Sequence, residues 1–391
     1  MGSLSKLEIL GAQARHDVSN SAFSNDSKFL NKTKSLPPGC CKLLLPNGGH
    51  IDVLKVLFSN KCIHDCGYCF NSTQSLYKKT SFESQELAKL FMNLYIRKFI
   101  KGLFLSSAVV RNAEKTMEQM VETVEILRGP QYNFNGYIHL KVLPGASYDL
   151  IKRGAVVADR MSVNLEAPNK SRFIELSSTK NFKSDIITRL RWLSELKAEN
   201  NCIRSGHTTQ FVVGASDESD KELLKTSNWL YNKFDLNRAY YSAFEPIRDT
   251  ALENHPPTPS IRQHRLYQTD WLLRVYSFNF SEIELAFDKN ENLPLNKDPK
   301  VLIARENKDL YPLEINEASY EDLVRVPGIG PNTAKRIVNY QNSLKKFEKL
   351  IQLKKTGVIL KRALPFIKIQ GKFQKNLKHF INSNENIRNC I

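Results

Sequence analysis

The sequence predicts an α/β protein, a partial (βα)6-type parallel barrel followed by a small all-α domain. Two observations carry this. Between residues 52 and 244 short β-rich runs alternate with amphipathic helical stretches, and beyond residue 300 the chain becomes helical and basic. The strand candidates are 53–58, 103–106, 137–143, 160–165, 208–213 and 239–244. Helical candidates at 84–99, 114–127, 148–153, 182–199 and 220–232 lie between them. In the first, Leu87, Leu90, Phe91 and Leu94 have the i, i+3, i+4, i+7 spacing of a helix buried on one face. Six alternations argue for a parallel sheet closed or partly closed into a barrel. An open doubly wound sheet has the same local pattern.

The 391 residues suffice for one large domain and one small one. The expected division is an N-terminal extension packing on the barrel (1–50), the barrel with a trailing helix (51–287), a polar linker holding two prolines (288–300), a helical domain (301–380) and a loose Asn-rich tail (381–391). No apolar run approaches the ~18 residues of a membrane span. The first dozen residues lack the basic-then-apolar layout of a secretory signal. A cytoplasmic protein with no membrane partner is expected.

The net charge of +17 is unevenly spread. Residues 323–380 hold fourteen Lys and Arg against a single acid, Glu348. The rest of the chain has 43 basic and 39 acidic residues and is nearly neutral. A basic tail domain on a balanced body points to a polyanionic partner at that end.

Seven cysteines make an odd count for a disulfide framework, and three of them, Cys62, Cys66 and Cys69, fall within eight residues. In a cytosolic protein such crowding reads as metal binding. The segment follows the first strand candidate directly, so it sits on the first βα loop, the end of a barrel that carries chemistry. Three thiolates cannot complete the four-Cys shell of an electron-transferring cluster, and they leave one iron open. The competing readings are a zinc site completed by His64, Cys40 or Cys202, and structural thiols with no ligand.

The spacing C-x3-C-x2-C, with the aromatic Tyr68 before the last cysteine, resembles the signature of the radical S-adenosylmethionine superfamily over residues 53–244. The resemblance implies a [4Fe–4S] cluster whose open iron chelates S-adenosylmethionine. It also implies one-electron cleavage to methionine and a 5′-deoxyadenosyl radical, and an electron donor such as flavodoxin or ferredoxin. Ser106 and Ser107 stand where these enzymes often carry a Gly-Gly-Glu segment that meets the cofactor's amino group, and here the sequence departs from the pattern. Asn164 and Glu166, at the fourth strand end, occupy positions from which the family often reaches the cofactor. Gly214 could admit the adenine or simply make a turn. Tyr241, Glu245 and Arg248 could face substrate or merely decorate the surface.

Residues 323–338 resemble the helix–hairpin–helix motif of DNA-binding and repair proteins. Gly328 and Gly330 permit a tight turn with φ > 0 around Ile329. The next helix would present free backbone N–H groups to a phosphate, with Lys335 and Arg336 adding charge. Residues 353–367 look like a degenerate second copy, in which Ile359 replaces the second glycine. Such hairpins grip backbone, so no sequence specificity is expected of them.

Together the two motifs resemble an uncharacterised bacterial family described as DNA modification or repair radical S-adenosylmethionine proteins. That resemblance implies DNA as partner and an association with uracil-DNA glycosylase-like proteins. The alternatives are RNA modification, or a non-catalytic DNA-binding protein with a structural metal site.

Overall fold

A computed structural model describes residues 1–14, 37–44, 49–199, 202–343 and 345–373. The expected loose tail, 381–391, and Cys390 lie outside these residues. The chain divides into two compact units, Met1–His264 and Arg265–Ile391. The division falls inside a helix, upstream of the expected linker at 288–300.

The first unit is built on one seven-stranded sheet whose spatial order is its sequence order. Strand β1 (Cys40–Leu44) pairs antiparallel with β2 (His50–Leu57). Strands β3 (Gly102–Ser106), β4 (Tyr137–Lys141), β5 (Arg160–Ser162), β6 (His207–Val213) and β7 (Arg238–Ala243) follow, each parallel to its predecessor. Helices α2 (Ser84–Ile96), α3 (Ala113–Arg128), α4 (Tyr148–Val157), α5 (Lys170–Leu176), α6 (Thr188–Ala198) and α7 (Asp220–Phe234) fill the crossovers, and α1 (Ser3–Gln13) packs on β2. Every crossover adds its strand on the same side, and crossovers of this type are right-handed. All the helices must then cover one face, and the sheet winds around the other. A doubly wound sheet would reverse its strand order at a switch point, and none occurs. The fold is therefore the incomplete (βα)6 barrel that the alternation predicts.

Alternation along the strands separates the faces. Leu140 and Met161 meet α4 at Gly154, and the Tyr241 hydroxyl lies 2.7 Å from Ser227 on α7. These residues point to the helices. Tyr241, fully buried there, is not a substrate-facing residue.

In the second unit, α8 (Ser260–Tyr276), which spans the division, leads to α9 (Phe280–Glu284) and α10 (Pro299–Glu306). Next come β8 (Leu313–Glu314), α11 (Tyr320–Arg325), α12 (Pro331–Asn342), α13 (Leu350–Lys355), α14 (Leu360–Ala363), β9 (Ile367–Ile369) and β10 (Lys372–Phe373). The unit is helical around a core of Leu323, Ile329, Ala334, Ile337, Phe347 and Leu353. It is not all-α, however, because β10, β9 and β8 form a small sheet. Gln370 and Gly371, both with positive φ, turn the β9–β10 hairpin, and their N–H groups donate to the Glu314 carboxylate. Among the described residues, no helix is long and apolar enough to cross a membrane.

Candidate metal and cofactor site and nucleic-acid interface

The cysteine loop begins where β2 ends, and polar clamps hold it shut. Ser59 and Ser81 form a bridge at its neck. Buried Asn60 donates to Gln13 on α1 and to the Lys78 carbonyl (2.8 Å each), and accepts from the Thr80 N–H (2.6 Å). Asp65, between the first two cysteines, accepts from the hydroxyls of Ser177 (2.7 Å), Ser178 (2.5 Å) and Thr179 (2.8 Å). The Gly67 N–H donates to the Leu176 carbonyl. The loop is thus bolted to the segment after α5, and the next residue along that segment is Lys180.

Lys180 lies beside Cys66, Glu166 and Cys69. Burial opposes its charge, but Cys66 and Glu166 outweigh burial and hold the ammonium above its ordinary value. Burial and the neighbouring Cys66 push the Cys69 thiol up to about 12, with Cys62 adding to the effect. The N–H of His64 points at the Cys62 sulfur and that of Asn71 at the Cys69 sulfur, each at 3.4 Å. Such N–H···S contacts tune sulfur ligands.

Glu166 completes the group. It is 7% exposed and has φ +66°, uncommon for a residue with a Cβ. Its backbone bridges to Phe211 of β6, and its side chain lies beside Tyr68 and Asn164. Burial raises its pKa against the pull of Lys180 and Lys141. Its Oε2 has no hydrogen-bond partner, and neither do the buried Asn71 Oδ1, Ser72 Oγ and Ser75 Oγ of the cysteine loop. Orphaned buried acceptors gathered beside three thiols fit a site that receives a polar group.

Ser106 is buried at the end of β3, whereas the Ser107 hydroxyl is turned onto the Ala108 carbonyl at 2.7 Å. Gly214 has φ +80° because Thr258 crosses there and donates to the Val213 carbonyl, so a close contact within the protein explains that glycine. Two suggested fourth ligands lie elsewhere. Cys40 sits on β1 opposite Leu54, and Cys202 precedes β6 at the opposite end of the sheet from the loop. His64 is on the loop, with its Nδ1 at 3.0 Å from Thr179. Among the described residues, no three His, Cys, Asp or Glu are grouped to hold a single metal ion.

Spacing could not have found Asp65 or Lys180. The hydroxyls that hold Asp65 and the Cys66 that neighbours Lys180 are more than a hundred residues away in sequence, and a lone Asp, or a Lys after Ser-Ser-Thr, carries no signal.

In the second unit the motif folds as two hairpins packed reciprocally. Gly328 has φ +86°, and a Cβ there would strike the Ile359 carbonyl at 2.7 Å and Arg362 at 3.0 Å. Gly357 has φ +97°, and a Cβ there would meet Arg336 and Thr333. Gly330 departs from expectation: it N-caps α12 at φ −105°, and its lack of a side chain leaves room for the Tyr276 hydroxyl at 3.2 Å. Its counterpart Ile359 caps α14 at φ −81°, which any residue can adopt, so the second copy functions as a turn without a second glycine. Ile329 is corrected too. Its side chain is in the core, its N–H donates to the Val326 carbonyl, and its carbonyl accepts from Lys300 Nζ at 2.6 Å. It frames the hairpin and has no group left for a phosphate. Lys335 and Arg336 are exposed on α12, and Pro331 at its start leaves the N–H groups of Asn332 and Thr333 as first-turn donors. Beside α14, a basic cavity of about 600 Å³ is lined by Arg305, Lys308, Lys361 and Arg362 over Tyr311 and Phe366.

A family model described as a helix-hairpin-helix motif matches residues 312–367. No curated protein matches. Among solved structures, the chain is similar to HydG, a maturase of the [FeFe]-hydrogenase, at 13% identity and TM-score 0.43, over 56% of this chain and 49% of that one. It is similar to methylornithine synthase (PylB) at 12% identity and TM-score 0.43, over 54% and 59%. A radical SAM methyltransferase from Sphaerobacter thermophilus gives 16% identity and TM-score 0.37, over 55% and 66%. The chain spans about half the length of the first of these. It is an incomplete (βα)6 barrel followed by a unit that carries a helix–hairpin–helix motif.

Proposed function

We propose that this chain is a radical S-adenosylmethionine enzyme that acts on nucleic acid, with DNA as the favoured partner. The observation carrying this reading is the meeting, at the mouth of the barrel, of three thiols with a buried carboxylate whose Oε2 has no partner. Cys62, Cys66 and Cys69 would hold a [4Fe–4S] cluster with one iron open to the amino and carboxylate groups of S-adenosylmethionine. When bound, the pair supplies reductive cleavage of the sulfonium, using one electron from a flavodoxin- or ferredoxin-like donor, and with it hydrogen abstraction from substrate.

The chain's own residues bind and orient. Glu166, with Tyr68 and Asn164 beside it, would accept from the cofactor's ammonium through Oε2. Lys180 would offset the negative charge of the thiolates. Ser106 would contribute at the end of β3. The hairpin unit would hold backbone phosphates through the first turn of α12, Lys335 and Arg336.

The test is anaerobic reconstitution followed by iron analysis, electron paramagnetic resonance and assay of 5′-deoxyadenosine. Cys62→Ala, Cys66→Ala and Cys69→Ala should each lose cluster and cleavage, whereas a Cys40/Cys202/Cys390→Ser variant should keep both. Glu166→Ala should retain iron and bind S-adenosylmethionine roughly ten- to a hundred-fold more weakly, the usual consequence of losing a charged hydrogen bond. Loss of iron from the Ser variant would overturn the three-ligand model.

A further inference from the structure

The cavity beside α14 is used by neither the cysteine loop nor the first turn of α12, and all its lining residues belong to the second unit. We propose that it binds a single nucleotide, the base against its apolar floor and the phosphate against its cationic rim. The proposal deepens the nucleic-acid reading above, and rests on it for the choice of a nucleotide among phosphorylated aromatic compounds.

Sequence spacing builds one wall. Val301, Ala304, Arg305 and Lys308 recur at i, i+3, i+4 and i+7, so the face of α10 that meets the cavity continues into the turn after it. The opposite wall comes from Lys361 and Arg362 on α14. Tyr311 and Phe366 close the floor, their ring centres 5.3 Å apart and inclined at 71°. Each ring has a proline beside it in sequence, Pro312 or Pro365, whose fixed φ limits the freedom of the backbone there. The hollow is thus built into the fold. Its volume of about 600 Å³ falls within the roughly 300–1,000 Å³ of small-molecule sites.

Floor and rim suit different halves of one ligand. Among the described residues the lining includes four cations and no carboxylate. Asp298, 2.7 Å from Arg362, offsets one of the four. The other ion pairs among the unit's described residues join Arg274 to Asp270 and Arg325 to Glu282, and leave out Arg305, Lys308 and Lys361. Glu306 and Asp309 neighbour these cations in sequence, are exposed, and do not line the cavity. Exposed lysines alone would hold only diffuse counter-ions; the aromatic floor beneath them makes the difference. Cations beside aromatic surface are the means by which unpaired nucleotides are held. A phosphate ester meets several cations at once, and the planar forks of Arg305 and Arg362 match its oxygens. An acidic peptide brings one charge per side chain and no ring for the floor. The cavity also borders the first hairpin, because a Cβ on Gly328 would lie 3.0 Å from the Cβ of Arg362. An unpaired nucleotide of a strand held there and a free nucleotide share this chemistry.

The experiment is calorimetric titration of the reconstituted full chain with thymidine 5′-monophosphate, thymidine and inorganic phosphate. A pyrimidine avoids competition from a site for S-adenosylmethionine. The monophosphate should bind at least ~tenfold more tightly than either fragment, from stacking on one side and charged hydrogen bonds on the other. Lys308→Gln combined with Lys361→Gln, at exposed positions, should remove the preference over thymidine. Val301→Trp, which fills the floor and keeps every cation, should remove the preference over inorganic phosphate; the lysine variant decides alone should Val301→Trp not fold. Equal binding of the monophosphate and either fragment overturns the proposal, as does a preference that survives in the folded variants. A phosphotyrosine peptide that binds as tightly as the monophosphate overturns it too. Single-stranded oligothymidylate that binds more tightly than the monophosphate, and loses that advantage in the lysine variant, identifies a strand as the source; tighter binding of the monophosphate identifies free nucleotide. Duplex DNA binding without any monophosphate preference would sink this site and leave the nucleic-acid reading standing. A monophosphate preference that the cavity variants abolish, in protein that binds no nucleic acid, would do the reverse.

Discussion

The cysteine loop and the paired hairpins are both turns held in shape, and they are held by opposite means. The loop packs the rings of Phe70 and Tyr77 together at 5.0 Å, but it is tied to the rest of its unit by polar side chains. Asn60 and Asp65 fasten it through side-chain hydrogen bonds, and it retains buried acceptors with no partner. The hairpins are fastened by core side chains and by backbone, and the carbonyl of Ile329 is answered by Lys300. On the reading proposed above, the loop keeps polar atoms in reserve for a cofactor, whereas the hairpins supply a rigid frame from which N–H groups could meet a phosphate.

The comparison breaks most sharply at Asp65. Asp65→Ala removes three hydroxyl contacts at once, so the loop should come away from the segment that delivers Lys180. Iron retained after reconstitution and gel filtration should fall severalfold, while duplex DNA binding stays at the wild-type level. Undiminished iron would show that the clamp does not shape the site.

Gly328→Ala should come next. A left-handed conformation costs about 1–2 kcal/mol for a residue with a Cβ, and contact with the Ile359 carbonyl adds to it. Gly330→Ala has no such conformational cost and should destabilise by under about 1 kcal/mol. Denaturation midpoints of the two variants measure the ordering, and equal losses would contradict the geometry.

Lys300 supplies a pH test. Burial lowers its pKa from 10.5 to about 7; Asp298, paired with Arg362 at 2.7 Å, raises it and Arg362 lowers it. The unfolded chain keeps this proton until about 10.5, so folding releases a proton between pH 7 and 10.5. Stability from this group therefore rises with pH across that window, by at most about 1.4 kcal/mol per pH unit, and is flat below pH 7. Relative to wild type, Lys300→Met should lose this slope in denaturation between pH 6.5 and 9.5. A smaller effect belongs to Lys335→Ala. It should weaken binding uniformly across sequences and reduce the dependence of log affinity on log salt by about one, as read by fluorescent-duplex titration.

What could be read from the sequence was local. Six parallel strands, the cysteine spacing and the hairpin glycines repeat within a few residues, and each appears in the structure close to its expected position. What escaped depends on distant residues. Strand β1 is an antiparallel edge outside the βα alternation, and β8 is two residues long, so neither has a period to detect. The identity of Lys180 as a neighbour of Cys66 rests on the Asp65 clamp. Gly330 looked interchangeable with Gly328 because a sequence displays both as glycine; their φ angles differ in sign.

The sheet stops at seven strands, with β1 at one margin and β7 at the other. A cylinder that closed on itself would admit only what passes through its rim, and a long polymer would have to present a free end. Among the described residues the two margins of the sheet are not joined to each other. On the nucleic-acid reading proposed above, a nucleotide in the middle of a strand could then be laid in sideways between those margins, its neighbours on either side staying outside.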